Sequence, residues 1–314
     1  MNKTAIIIDT DPGQDDAVAI LTALGSSRLE VVGISVVAGN VPLELTAKNV
    51  RIICEWAGRP EVPVHAGCER PLLRPLVTAE HVHGKTGLDG VPLHEPAMPL
   101  QQEHAVDFII RTLRERERGT VTLCMLGPLT NLAMAIVRAP DIVGRIREIV
   151  LMGGAYFEGG NITPSAEFNI YVDPHAAATV LACGAAAITM LPLDVTHKAT
   201  ASLARIGLLR ALPNRAGNLA ADIMTTLERF DVQRYGADGA PLHDPTVIAY
   251  VLQPELFSGR KVYVAVEQNS ELTLGATPVD WWGITGKPAN VNYLTTVDSD
   301  GFFRLLADNL STLP

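Results

Sequence analysis

The segment Asp9-Thr10-Asp11-Pro12-Gly13-Gln14-Asp15-Asp16 sets four carboxylates within eight positions, directly after the apolar run Ala5-Ile6-Ile7-Ile8. That run has the composition of a strand buried on both faces. Pro12-Gly13 reads as a turn, and Asp15-Asp16 open an apolar helical pattern. On an extended chain Asp9 and Asp11, two positions apart, face the same side. The turn brings Asp15 and Asp16 back toward Asp11. A helix N-terminus supplies only about half a positive charge, too little for three or four carboxylates. Either their pKa values rise or a divalent cation sits among them. All the donors are oxygens, which favours Ca²⁺ or Mg²⁺ over zinc. A competing reading makes Asp15 and Asp16 helix caps and Asp9 a supporting hydrogen-bond acceptor. The place of the whole cluster, at the end of a buried strand where open α/β sheets bind ligands, favours a site.

Other strand ends carry polar groups of the same kind. Ala38-Gly39-Asn40 closes a second strand and offers an amide to a hydroxyl, or a simple turn. Leu126-Gly127-Pro128-Leu129-Thr130-Asn131 closes another: the Leu126 carbonyl is a possible hard-cation ligand, with Thr130 or Asn131 as cap of the next helix. Met152 precedes Gly153-Gly154, where backbone can approach a ligand closely. Asn161, Glu167 and Asn169 place two amides and a carboxylate within nine positions, a donor–acceptor set suited to a polyol such as ribose. Asp173-Pro174 reads as a helix cap. His83 lies in a Gly-rich stretch fit for a flap, and His243 precedes Asp244-Pro245, where Asp244 is a potential N-cap.

The elements that must position these groups alternate. Strands are expected at Ala5–Ile8, Val31–Val37, Val62–His65, Val121–Leu126, Ile149–Met152 and Ala187–Leu191. Helices are expected at Asp15–Leu24, Leu43–Ala57, Glu103–Arg118, Thr130–Arg138 and Pro174–Ala182. Repeated βα units imply a mainly parallel sheet with helices on both faces. An all-helical stretch follows over Leu203–Arg234, then a helix near Pro245–Leu252, strands near Val262–Val266 and Val291–Leu294, and a last helix over Gly301–Leu310. No linker or repeat interrupts the 314 residues, so one continuous domain is expected.

Composition narrows the partners. Lys and Arg number 25 against 34 Asp and Glu, a net charge of −9, which argues against phosphate-backbone binding to nucleic acid. Ala176–Leu193 is apolar but holds Thr179, Thr189 and Pro192 and splits into a helix and a strand, so no membrane span is expected. Four residues precede the first strand, too few for a secretory signal. The four cysteines form no C-x-x-C pair and read as reduced thiols, so a cytoplasmic protein is expected.

In order along the chain, Asp9-Thr10-Asp11-Pro12-Gly13-x-Asp15-Asp16, Gly39-Asn40, Gly127-Pro128-Leu129-Thr130-Asn131, Met152-Gly153-Gly154, Asn161 with Glu167-Phe168-Asn169, and His243-Asp244-Pro245 together resemble the inosine–uridine-preferring nucleoside hydrolase family. The likeness runs to Val297-Asp298-x-Asp300-Gly301-Phe302-Phe303. It implies one Rossmann-like α/β domain over 1–314 with the active site at the C-terminal ends of the strands. It implies calcium-dependent cleavage of the N-glycosidic bond of ribonucleosides. By that resemblance Asp11 is the general base; Asp11, Asp15, Asp16, the Leu126 carbonyl and Asp244 hold one Ca²⁺; Asn40, Met152, Asn161, Glu167 and Asn169 meet the ribose. His83 and His243 face the base, with His243 as acid for the leaving group, and Gln233 and Tyr235 approach it from a helical lid. Leu126 stands where family members often carry Thr, a change that leaves a main-chain ligand intact. The two histidines suit pyrimidine or inosine–uridine preference, whereas a purine site would stack the base between tryptophans. A homodimer or homotetramer is the family expectation.

Three rivals remain from sequence. Asp9-Thr10-Asp11 also looks like the D-x-D of haloacid-dehalogenase phosphotransferases, but that leaves Asn161–Asn169 and His243-Asp244 unexplained. A non-catalytic nucleoside or ribose binder on the same scaffold is disfavoured by the presence of Asp11 beside every expected ligand. A hydrolase for a modified nucleoside would keep the same ribose and metal residues.

Overall fold

The computed structural model describes residues 3–235 and 239–314, with the side chains of 228–235 outside the description. The strands are β1 (Thr4–Thr10), β2 (Leu29–Val36), β3 (Val64–Ala66), β4 (Val121–Met125), β5 (Ile146–Met152), β6 (Ile188–Leu191), β7 (Thr200–Ala201), β8 (Ala240–Pro241), β9 (Phe257–Val264), β10 (Val279–Asp280) and β11 (Val291–Val297). The helices are α1 (Gln14–Gly25), α2 (Leu43–Trp56), α3 (Glu80–His83), α4 (Ala105–Glu115), α5 (Thr130–Arg138), α6 (Phe168–Val172), α7 (Pro174–Leu181), α8 (Leu193–Thr196), α9 (Leu203–Arg210), α10 (Arg215–Tyr235), α11 (Pro245–Leu252) and α12 (Ser299–Leu310).

β1 is apolar throughout its middle because the sheet is covered on both sides. Ile6 and Ile8 pack into one layer with α1, α2, α11 and α12, while Ile7 packs into the other with α4, α5 and α7. A strand with one face in water would alternate apolar and polar; this one cannot. The nine-stranded sheet runs β10-β9-β11-β6-β5-β4-β1-β2-β3. All its pairs are parallel except β9 with β11 and with β10.

The chain winds outward from β1 to β2 and β3, then returns to lay β4 on the other side of β1. The order therefore reverses between β1 and β4, and a crevice opens at the C-terminal ends of these two strands. Asp11 follows β1, and Leu126 follows β4, at that point.

The expected α/β class, with a mainly parallel sheet flanked by helices, is the observed one. Three local readings are corrected. The stretch Leu203–Arg234 is two helices: α9 stops at Arg210, because Pro213 pushes the residue before it out of helical conformation and offers no N–H. The late strand begins at Phe257, earlier than expected, and runs antiparallel. Neither Thr130 nor Asn131 caps α5, whose N-cap is Leu129; both side chains are used for long-range bonds instead. The short helices α3, α6 and α8 are additional to the expected elements, being too brief for a helical period to register in sequence.

Candidate active site

α1 begins at the turn expected from Pro12-Gly13. Asp16, in its first turn, reaches back to accept the Gly13 N–H at 2.9 Å and also accepts from Thr10 Oγ1. Asp16 thus behaves as the carboxylate of a cap, while Asp15 is left facing the crevice. Across the crevice Asp244 occupies the N-cap position of α11 but makes no side-chain cap bond. Its N–H lies 3.4 Å from Asp15 Oδ2. One carboxylate oxygen from each of Asp15, Asp16 and Asp244 falls within 4.8 Å of the others, and all three residues are buried.

Asp11 sits beside this trio in a slot with glycine on two sides. Its Oδ2 accepts the Asn40 N–H at 2.7 Å. A Cβ on Gly39 would stand 2.0 Å from Oδ2, and one on Gly127 would stand 2.3 Å from Oδ1. Only residues without side chains let the backbone approach this closely. Asn40 Nδ2 then spans from the Asp11 carbonyl, at 3.1 Å, to Asp16 Oδ2, at 3.3 Å.

The electrostatics of so many buried carboxylates are unfavourable. Burial, followed by repulsion from Asp16, pushes Asp11 well above the ordinary carboxylate range, against the pull of the Asn40 N–H. Burial and Asp15 raise Asp16 to about 6. Burial and then Asp15, Asp16 and Asp11 push Asp244 up as well. A divalent cation would oppose every one of these increases. The donors present suit one: they are all carboxylate or carbonyl oxygens, and the buried Asp11 Oδ1 has no hydrogen-bond partner. Asp9 Oδ1 is likewise unpaired, but Asp9 turns away from the trio. Its Oδ2 accepts from Ser35 Oγ and from Asn131 Nδ2 at 2.9 Å, and burial raises it to about 7. The reading of Asp9 as a supporting acceptor fits this geometry. Asn131 also bonds the Val36 carbonyl and the Cys68 N–H, tying β1, β2 and α5 together.

The polyol-binding segment folds into a clamp. Glu167 caps α6, accepting the Asn169 N–H at 2.8 Å and the Ile170 N–H at 3.2 Å, and takes the Gly154 N–H at 2.9 Å as well. Burial nevertheless lifts Glu167 to about 7. Asn161 Oδ1 accepts the Phe168 N–H at 2.9 Å. Asn169 Nδ2 donates to the Leu126 carbonyl at 2.6 Å and lies near Met152 O and Sδ. The Leu126 carbonyl is therefore shared ground between this clamp and the β4 strand end.

A cleft joins these groups. Asp15, Asn40, His83, Leu126, Met152, Asn161, Glu167, Asn169, His243 and Asp244 line it. Asp11 and Asp16 lie directly behind its wall. His83, on α3, pairs through Nδ1 with Gln14 Oε1 at 2.7 Å, and burial holds it below the usual imidazole value. His243 keeps an edge open to the cleft; its Nδ1 meets Thr196 Oγ1 at 2.8 Å, and burial lowers it to about 4. Gln233 and Tyr235 lie outside the described side chains. His197 also lines the cleft, and sequence singles out neither it nor Thr196. No local spacing marks them, because they follow a strand whose end carries no glycine turn or carboxylate pair. Among the described residues no tryptophan lines the cleft: Trp281 packs against Arg260 and Phe157.

A cleft at a topological switch point, with a trio of buried aspartates and an amide–carboxylate clamp, can hold a divalent cation beside a polyol. Residues 6–304 match the model of the inosine-uridine preferring nucleoside hydrolase family. The chain is 50% identical to the uncharacterized protein C1683.06c of Schizosaccharomyces pombe, covering 98% of this chain and 99% of that one. It is 43% identical to the pyrimidine-specific ribonucleoside hydrolase RihA of Salmonella agona, covering 97% of each. Its fold superposes on the purine-preferring ribonucleoside hydrolase from Gardnerella vaginalis with a TM-score of 0.90, at 30% identity and 98% coverage of both chains. The chain belongs to the inosine-uridine preferring nucleoside hydrolase family and is an enzyme, a nucleoside hydrolase of the N-glycosidase class. No helix among the described residues is long and apolar enough to cross a membrane.

Proposed function

We propose that this enzyme hydrolyses pyrimidine ribonucleosides, with inosine as a further substrate, to ribose and free base in a calcium-dependent reaction. The observation that carries this reading is the trio of Asp15, Asp16 and Asp244 oxygens at the floor of a cleft whose wall is the Asn161–Glu167–Asn169 clamp. Asp11, Asp15, Asp16, Asp244 and the Leu126 carbonyl would hold the ion. When bound, Ca²⁺ supplies the positive charge that keeps these carboxylates ionised and makes a water in the cleft more acidic.

Asn40, Met152, Asn161, Glu167 and Asn169 grip the ribose. Asp11, through its unpaired Oδ1, takes the proton of the attacking water as the oxygen bonds to C1′. The C1′–N electron pair leaves with the base, and charge building on the ribose is met by Glu167 and the aspartates. His243 hands a proton to the departing base, its ring held by Thr196, with His83 flanking the same end. A neutral imidazole carrying its proton on Nε2 can do this without being charged beforehand.

The name of the Salmonella relative supports pyrimidine preference, and among the described residues the cleft offers no tryptophan to stack a purine. The whole of 1–314 is proposed to act as one cytoplasmic domain in a homodimer or homotetramer. Ribose release from uridine, cytidine, inosine and adenosine, with EDTA and with added Ca²⁺, tests the proposal. Calcium-restored release ranked with pyrimidines first supports it. No release from any of the four by folded, calcium-loaded protein overturns it, in favour of a modified-nucleoside hydrolase or a nucleoside binder.

A further inference from the structure

The flap that carries His83 is sewn onto the turn that carries the aspartates. Gln14, 2% exposed, lies in the first turn of α1, between Asp11 and Asp15. Its side-chain amide leaves α1 in two directions: Nε2 donates to the Asp89 carbonyl at 3.1 Å, and Oε1 meets His83 Nδ1 at 2.7 Å. Buried Asn49, on α2, makes a second stitch. Its Nδ2 donates to the Pro12 carbonyl of the turn at 3.2 Å and to the Thr86 carbonyl of the flap at 2.8 Å, so one amide uses both its hydrogens across the seam. Glycine on each side lets the two segments touch. A Cβ on Gly13 would stand 2.6 Å from His83 Nδ1, and one on Gly87 would stand 3.0 Å from the Pro12 carbonyl oxygen.

The flap is itself a stiff piece. The Asp89 carboxylate accepts the Lys85 and Thr86 N–H groups, each at 3.2 Å, which closes 85–89 into a turn, and Leu88 anchors that turn in the core. Its seat is the Pro12-Gly13-Gln14 turn. With a cation among Asp11, Asp15 and Asp16, that seat is pinned at both ends; without one, the like charges of these carboxylates repel across it. Gln14 is placed to pass the difference on, because its backbone belongs to the seat and its side chain holds both ends of the flap, His83 and Asp89.

We infer that Gln14 is a positioning residue that ties the place of His83, at the leaving-group end of the cleft, to the shape of the aspartate turn. This deepens the proposed hydrolase reading and rests on it for the role of His83 and the identity of the ion. Two measurements on the full chain test it. Hydrogen exchange, followed in Ca²⁺ and in EDTA, reads the tie directly. In the wild type the amides of residues 84–90 should exchange about fivefold faster, or more, in EDTA, while those of α4 keep their rate. In Gln14→Met, which keeps the length of the side chain and loses both bonds, the flap amides should be fast in either. The second measurement compares uridine with p-nitrophenyl riboside, whose leaving group needs no proton. Gln14→Met should lose about tenfold in kcat/KM on uridine, the worth of one or two buried hydrogen bonds, and less than about threefold on the nitrophenyl riboside. General loosening of the fold would not give that split. Flap exchange indifferent to chelation in the wild type, or equal losses on the two substrates, or no loss on either, overturns the assignment. Wild-type protein that cleaves neither substrate removes the hydrolase reading, and flap exchange then decides the tie by itself.

Discussion

Gly39→Ala is a one-carbon change at a residue that touches no substrate, yet the geometry makes it severe. The added Cβ would lie 2.0 Å from Asp11 Oδ2, 2.8 Å from Cγ and 3.0 Å from the Asp11 Cβ. Side-chain carbons do not approach other heavy atoms closer than about 3 Å, so the carboxylate must retreat by roughly 1 Å. It has nowhere to go. Asp11 is 1% exposed, and Gly127 closes the opposite side so tightly that a Cβ there would stand 2.3 Å from Oδ1. The 2.7 Å bond from the Asn40 N–H, made by the very next residue, would be the first to break. Displacement of a reacting group by about 1 Å costs on the order of 10² in rate, and overpacking a filled site costs about 1–3 kcal/mol of stability. The expected result is a folded protein, slightly less stable by thermal melting, whose kcat on uridine is down about 10²-fold. Gly207→Ala is the control: it sits in α9 with open space where its Cβ would go, and a helical Gly→Ala change gains up to about 1 kcal/mol. If Gly39→Ala keeps kcat within threefold of wild type, Asp11 is not wedged as described, and its role as base loses its geometric support.

Removal of the metal should destabilise as well as inactivate. At a calcium concentration one hundred times its Kd the ion contributes about 2.7 kcal/mol, so EDTA should lower the melting temperature by roughly 5 °C; an unchanged melt would mean that no ion is held. Asp11→Ala should cut turnover by roughly 10²–10⁴-fold while ribose still binds by calorimetry; loss of ribose binding in parallel would point to a structural role. His243→Ala should lose far more activity on uridine than on p-nitrophenyl riboside, whose leaving group needs no proton, and equal losses would remove it as the acid. Glu167 yields a pH signature. Its carboxyl is lifted from 4.5 to about 7 by burial, so the native state prefers the protonated form, and this contribution to stability, complete below about pH 4.5, is lost as pH rises through 7. Glu167→Gln cannot ionise. Its stability relative to wild type, measured in chelator by denaturant titration, should therefore improve by ~3 kcal/mol between pH 4.5 and pH 8, and a flat difference would show that Glu167 stays ionised throughout.

Much of this architecture is legible without coordinates, for a physical reason: strands covered on both faces must be apolar throughout, so β1, β4 and β6 announce themselves in composition. Glycine turns mark where they stop, and carboxylates at those stops mark the site. What escapes the sequence is any role conferred by partners distant along the chain. Asn131 looks like a helix cap, yet its amide bonds Asp9 from 122 positions away. His197 looks like the tail of a short apolar segment, yet at the end of α8 it becomes part of the cleft wall. Short helices such as α6 are set by one side chain, Glu167, gathering N–H groups, not by a hydrophobic period.

Asp9 and Asp11 show how finely this operates. They lie on one strand end, two residues apart, both buried at 0–1% exposure, and local sequence treats them alike. Asp9 meets Ser35 and Asn131, two donors that hold one of its oxygens toward β2 and α5. Among the described residues Asp11 meets no side-chain donor; two glycines and the Asn40 N–H stand around its carboxylate. The first environment fastens a carboxylate as a structural bolt. Each leaves its Oδ1 buried and unpaired; what sets Asp11 apart is its place beside Asp16 and Asp15, whose charges add to burial in raising its proton affinity in the absence of a cation. A group that must accept a proton from water and then release it needs that second environment. The glycines at 39 and 127 are therefore as much a part of the proposed base as Asp11 itself, because any side chain there would replace an unpaired oxygen with a packed one.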